Sequence, residues 1–172
     1  MERDPFDSIH EQWKRECPQA DTSGFEVVGR ILFISKYLQH SIAGRLRDLD
    51  LDLWAFDVLA TLWRQGPPYH FSPTELCKAA LLSSGAMTNR LDRLEASGLV
   101  ARKPDPNDRR GLIIELTPKG RSLVDQAISA RLQEANEAVA PLSESERHEL
   151  TRLLRKLLAT REDVSFLDRD EQ

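Results

Sequence analysis

Between Ser72 and Gly120 the chain sets out side chains suited to reading a polyanion. Ser84, Thr88 and Asn89 carry the hydroxyl and amide groups that reach base edges, and Arg93, Arg109 and Arg110 carry the guanidinium forks that hold phosphates. Helical spacing places Thr88, Asn89, Arg90 and Arg93 on one face, with Met87, Leu91 and Leu94 on the other. From Arg90 to Arg121 eight Lys/Arg stand against five Asp/Glu, leaving +3 in that window and −7 in the rest of a chain whose net charge is −4. A negative total argues weakly against nucleic acid, but positive charge concentrated on the candidate reading surface argues for it. A merely solvated charged face is the plainer alternative, so the elements that hold these groups decide between them.

Those elements are well marked. Ser72 is a good N-cap, Pro73 suits the first helical position and Glu75 completes a capping box, which predicts a short helix with Leu76, Ala79 and Ala80 on its apolar face. The Leu82–Gly85 segment breaks that helix, and Ser83 or Ser84 caps a second one, which Gly98 stops. Leu99–Arg102 is extended, Pro104–Asp108 is a turn, and Leu112–Leu116 returns as a strand. This order is a helix-turn-helix followed by a basic hairpin, or wing. Arg109 or Arg110 at its tip suits the minor groove, Asp108 is expected to pair with Arg110, and Arg93 is expected on a phosphate.

The flanks predict helices over Pro5–Cys17, Gly24–Asp48 and Leu53–Gln65, then one opened by Thr117-Pro118 and one opened by a Ser143/Glu146 capping box. The architecture expected is mainly α. Helices in 1–50 serve dimerisation and the ligand site, 51–117 hold the winged helix-turn-helix, 118–172 hold C-terminal dimerisation helices and a polar tail, and all form one compact domain. The terminal helices carry more leucine than one chain can cover, which predicts a homodimer of intertwined N- and C-terminal helices reading a palindrome in double-stranded DNA. No stretch is long enough to span a bilayer and no export signal is visible, so a cytoplasmic protein without a membrane partner is expected. Cys17 and Cys77 imply no disulfide framework. There is no phosphate loop, zinc-protease motif or nucleophile elbow, and His10, His40, His70 and His148 are scattered, so no catalytic residue, metal or cofactor is expected.

Taken together, Ser83–Arg90, Leu91–Glu95, Gly98–Val100 and the wing spacing of Asp108, Arg110, Leu116 and Thr117 resemble the MarR (multiple antibiotic resistance regulator) family of winged-helix repressors over nearly the whole chain. A narrower set, Gln12-Trp13, Asp21–Ser23, Glu26–Arg30 and Phe56–Leu62, resembles the urate-responsive branch of that family. The resemblance implies a ligand site of Trp13, Asp57, Arg90 and Arg102, located between the dimerisation helices and the reading region. On that reading Arg102 partners a part-buried Asp57, and Arg90 reports to the DNA. An anionic purine such as urate pairs with Arg90, stacks near Trp13, repels Asp57, loosens the Asp57–Arg102 pair and shifts the reading helices off the operator. Other aromatic acids remain open as ligands. So does peroxide sensing through Cys17, which lies beside Lys14 and Arg15 and also fits an apolar stripe.

Overall fold

The computed structural model describes residues 3–80, 83–106, 108 and 111–159. The chain divides into two compact units, Met1–Gly44 and Arg45–Gln172. The first unit holds α1 (Pro5–Glu16) and most of α2 (Ser23–Arg47), which runs on into the second. Asp4 caps α1 by accepting from the backbone N–H groups of Phe6 and Asp7, while the Asp7 carboxylate reaches back to the Asp4 N–H. Phe6 packs onto α2 at Gly29, where an added Cβ would lie 1.9 Å from the ring. Arg30 lies 5.3 Å over the same ring and pairs with Asp4 and Asp7.

The second unit continues with α3 (Leu53–Arg64), β1 (His70–Phe71), α4 (Pro73–Ala80), α5 (Ser84–Ala96), β2 (Val100–Pro104), β3 (Leu112–Leu116), α6 (Pro118–Ala138) and α7 (Glu144–Ala159). The expected capping boxes are present. Glu75 accepts from the Ser72 N–H at 2.9 Å, and Glu146 accepts from the Ser143 N–H at 2.8 Å. Of the two serines that could cap α5, Ser83 does so, accepting from the Ala86 N–H. Gly98 ends α5 with a φ of +69°, a left-handed position that glycine reaches without strain, and the Leu99 N–H returns to the Leu94 carbonyl.

The wing strands pair antiparallel, with Val100 opposite Leu116 and Arg102 opposite Ile114. β1, a third strand that the sequence pattern did not predict, adds to the other edge of β3, with His70 opposite Glu115. Thr117 caps α6 through the Gly120 N–H at 3.0 Å. Gly120 must be glycine there, because a Cβ would lie 1.9 Å from the Leu99 carbonyl oxygen, so the start of α6 is set directly against the start of the wing.

The core of this unit is built on α3. Phe56, Val58, Leu59 and Leu62 are buried, along with Leu76 of α4, Met87, Leu91 and Leu94 of α5, Ile114 of β3 and Val124 of α6. The helix expected to brace the reading unit therefore does so, packing against α4, α5, α6 and β3. By contrast α7 buries none of its residues, and Leu150, Leu153, Leu154, Leu157 and Leu158 all remain exposed. Among the described residues no helix is long and apolar enough to cross a membrane.

Candidate ligand cavity and DNA-reading surface

Asp57, Ala60, Thr61 and Arg64 fall at i, i+3, i+4 and i+7 of α3, so they form one stripe along the helix. That stripe floors a cavity of about 540 Å³, a size typical of small-molecule sites. Phe56, Ile128 and Leu132 give it apolar walls, Ala79 and Ala80 close the α4 side, and Arg90 of α5 and Arg131 of α6 enter it. Arg64 donates to the Ala60 carbonyl at 3.3 Å and to the Thr61 hydroxyl at 3.0 Å. Arg131 pairs with Glu134, a buried residue one turn further along α6.

Asp57 is accessible to solvent, yet its carboxyl is recessed among these walls. Lost hydration pushes it above the ordinary carboxylate range, and the nearby charges of Arg90, Arg131 and Arg64 only partly offset that push. One carboxylate facing three guanidinium groups in an apolar-walled recess is an arrangement suited to a flat anion.

Asp57 and Arg90, two of the four residues expected to form the ligand site, are thus brought together. The expected Asp57–Arg102 pair is not formed. Arg102 instead donates to Asp92 at 2.6 Å and also to Glu95, whose other carboxylate oxygen accepts the Arg102 backbone N–H at 3.1 Å. The reason is local. The tight reversal at Gly98 runs β2 back along the C-terminal half of α5, where Asp92 and Glu95, three residues apart, offer two carboxylates on one face. Both bonds hold the Arg102 guanidinium above its ordinary pKa. Trp13 belongs to the first unit, where its half-exposed ring meets Phe25 edge-on at 5.6 Å.

Ser84 opens α5, and Thr88 and Asn89 are exposed one turn on. Arg93 is exposed but engaged. Its guanidinium lies 4.3 Å over the Trp54 ring and 3.5 Å from Asp52, and the Trp54 indole N–H donates to the same Asp52. Arg90 also approaches Trp54, at 6.0 Å. Arg109, Arg110, the expected Asp108–Arg110 pair and the polar tail after Arg161 lie outside the described residues.

The MarR family model matches residues 49–111, which run from the connection before α3 to the wing. The transcriptional regulator PecS of Dickeya dadantii is 33% identical over 146 residues, spanning 85% of this chain and 88% of PecS. This chain belongs to the MarR family. Its relatives include DNA-binding transcriptional regulators, and repressors are among them. A crystal structure of a mutant E. coli MarR complexed with operator DNA is 29% identical, with a TM-score of 0.69 over 81% of this chain and 99% of that one. BpsR of Bordetella bronchiseptica, described with regulation of its DNA binding by 6-hydroxynicotinic acid, is 28% identical, with a TM-score of 0.65 over 77% of this chain and 98% of that one.

Within this MarR-family chain the residues missed from the sequence are Arg64, Arg131 and Trp54. Arg64 was legible, standing two helical turns from Asp57 on the same stripe. Arg131 was not, because only the packing of α6 on α3 brings it to the cavity. Cys17 and Cys77 are half-buried and are not joined in a disulfide.

Proposed function

We propose that the protein represses transcription as a homodimer on a palindromic operator, and that an anionic aromatic ligand, urate or a related acid, releases it. The observation that carries the ligand half is the shared cavity of Asp57 and Arg90, since Arg90 stands on the reading helix itself. An anion drawn to Arg90 approaches Asp57 as well. The repulsion is relieved by proton uptake on Asp57 or by movement of α5 relative to α3, and the second course displaces Thr88 and Asn89 from their bases. Coupling of this kind is worth about 1–3 kcal/mol. The dimer half is supported by the leucine row of α7, which is exposed among the described residues. Two reading helices related by a two-fold axis would address half-sites about 10 bp apart.

Another aromatic acid as the natural ligand has a specific observation in its favour, the 6-hydroxynicotinic acid linked to the BpsR relative. Titrating the protein–operator complex with urate and with 6-hydroxynicotinate in a mobility-shift assay separates the two. Release by one at sub-millimolar concentration identifies the ligand class, and no release by either at millimolar concentration removes ligand control from the reading. Asp57→Asn is expected to bind operator normally yet require at least about tenfold more ligand for release. Trp13→Phe is expected to blunt the response in the same direction. A mass measurement showing a monomer at micromolar concentration would remove the dimer.

A further inference from the structure

Three cations line the cavity, and their partners differ. Arg90 is placed near Asp57, and Arg131 is tied to Glu134. Arg64, at the last turn of α3, makes its hydrogen bonds to neutral oxygens alone, the Ala60 carbonyl and the Thr61 hydroxyl, and among the described residues no carboxylate pairs with it. The Arg64 and Asp57 backbones lie seven residues, about 10 Å, apart along the helix axis, and the Arg64 guanidinium reaches back one turn to Ala60 and Thr61. Phe56, Ile128 and Leu132 give the cavity an apolar wall. A single-ring monoanion held at Arg90 leaves Arg64 and much of a cavity of about 540 Å³ to water.

We infer that Arg64 forms a second anion subsite and that the cavity is built for an elongated aromatic dianion, with one acidic group on Arg90, the other on Arg64, and the ring system against the apolar wall. This rests on the cavity being the ligand site and adds the charge and length of what it takes. The chemistry is that of charge-assisted hydrogen bonding at two points. An Arg fork bonded to neutral oxygens can turn to a carboxylate without first breaking an ion pair, whereas Arg131 would have to leave a buried Glu134. Two anchors on separate helices, α5 and α3, also select by length, so a diacid that cannot reach both gains nothing over a monoacid.

The test compares naphthalene-2,6-dicarboxylate with 2-naphthoate, and both with urate, by calorimetry on the full chain. The dicarboxylate is expected to bind at least about tenfold more tightly than the monoacid, as one further charged anchor supplies. Arg64→Gln should erase that advantage, costing the dicarboxylate several-fold more than it costs urate or 2-naphthoate, and Arg64→Lys, which keeps the charge but loses the fork, should restore part of it. Melting temperatures of the unliganded variants, expected within a degree or two of the parent for an exposed side chain, guard against a folding effect. Equal affinity for the two naphthalene acids, or equal losses for all three ligands in Arg64→Gln, overturns the second subsite and leaves the ligand cavity standing. Binding of none of the three overturns the cavity assignment together with it.

Discussion

Two charge clusters flank the reading helix, and their stoichiometry is opposite. In the cavity one carboxylate, Asp57, faces three guanidinium groups; at the wing one guanidinium, Arg102, is gripped by two carboxylates. A surplus of cations in an apolar recess leaves room for an anion from outside. A surplus of carboxylates leaves none, and what it offers instead is position, because each Arg102 bond ties the first wing strand to α5. The resemblance to the urate-responsive branch grouped Arg90 and Arg102 as parts of one site. The structure places them apart, with Arg90 lining the cavity and Arg102 held by Asp92 and Glu95. The second cluster holds the first wing strand against α5.

Arg102→Met breaks this comparison most directly. It leaves Asp92 and Glu95 facing each other without their shared counter-charge, and the Arg102 backbone N–H alone remains on Glu95. Because Asp92 and Glu95 keep some contact with water, the expected loss is that of partly exposed charge pairs, about 1–2 kcal/mol in stability and about tenfold in operator affinity. Ligand affinity should stay within about twofold of the parent. A calorimetric titration showing ligand affinity collapsing in Arg102→Met would return Arg102 to the cavity and end the division of labour.

A smaller effect comes from the proton on Asp57. Lost hydration raises this carboxyl above its ordinary value, so the fold holds the proton more tightly than the unfolded chain does. The contribution to stability is therefore fully present below the ordinary carboxylate pKa and is lost as pH rises through the raised one, opposite to the behaviour of a salt-bridged aspartate. An anion in the cavity raises the carboxyl further. Ligand affinity is thus expected to climb several-fold as pH falls through that window, with proton uptake on binding visible as a buffer-dependent enthalpy. Asp57→Asn should flatten the pH dependence and melt no lower than the parent at neutral pH. A pH profile unchanged in Asp57→Asn would place the titrating group elsewhere.

How far these sites could be foreseen follows the range of the interactions that form them. The capping boxes at Ser72/Glu75 and Ser143/Glu146, the stop at Gly98 and the buried face of Met87, Leu91 and Leu94 are decided within a few residues and were legible. The strand His70–Phe71 was not, because two residues have no period and become a strand only by pairing with Ile114 and Glu115, more than forty residues on. Asp57 announced itself as a carboxylate in a largely apolar helix, but its neighbours did not. Arg131 reaches it only through helix packing, and the partner chosen for it, Arg102, had two nearer carboxylates across a turn. Charge pairing across a fold is decided by which opposite charge is nearest in space, and residue types alone do not state that.

Arg93 completes the comparison and has the smallest expected effect. Its pairing is neither cation-rich nor carboxylate-rich: one guanidinium meets one carboxylate, Asp52, with the Trp54 ring beneath, and the side chain is 66% exposed. An exposed one-to-one pair is worth about 0–1 kcal/mol, so a phosphate oxygen can displace Asp52 at little expense, whereas Arg102 cannot leave two carboxylates on the same terms. Arg93 can therefore stay on Trp54 in the free protein and still serve as the phosphate contact its place on α5 suggests. In Arg93→Ala the salt dependence of operator binding should lose about 0.9 from its logarithmic slope, so affinity falls about threefold to fourfold less between 50 and 200 mM salt than it does in the parent. A slope unchanged by the substitution would mean that Arg93 remains with Asp52 on the DNA, and that its task, like that of Arg102, is to hold α5 in place.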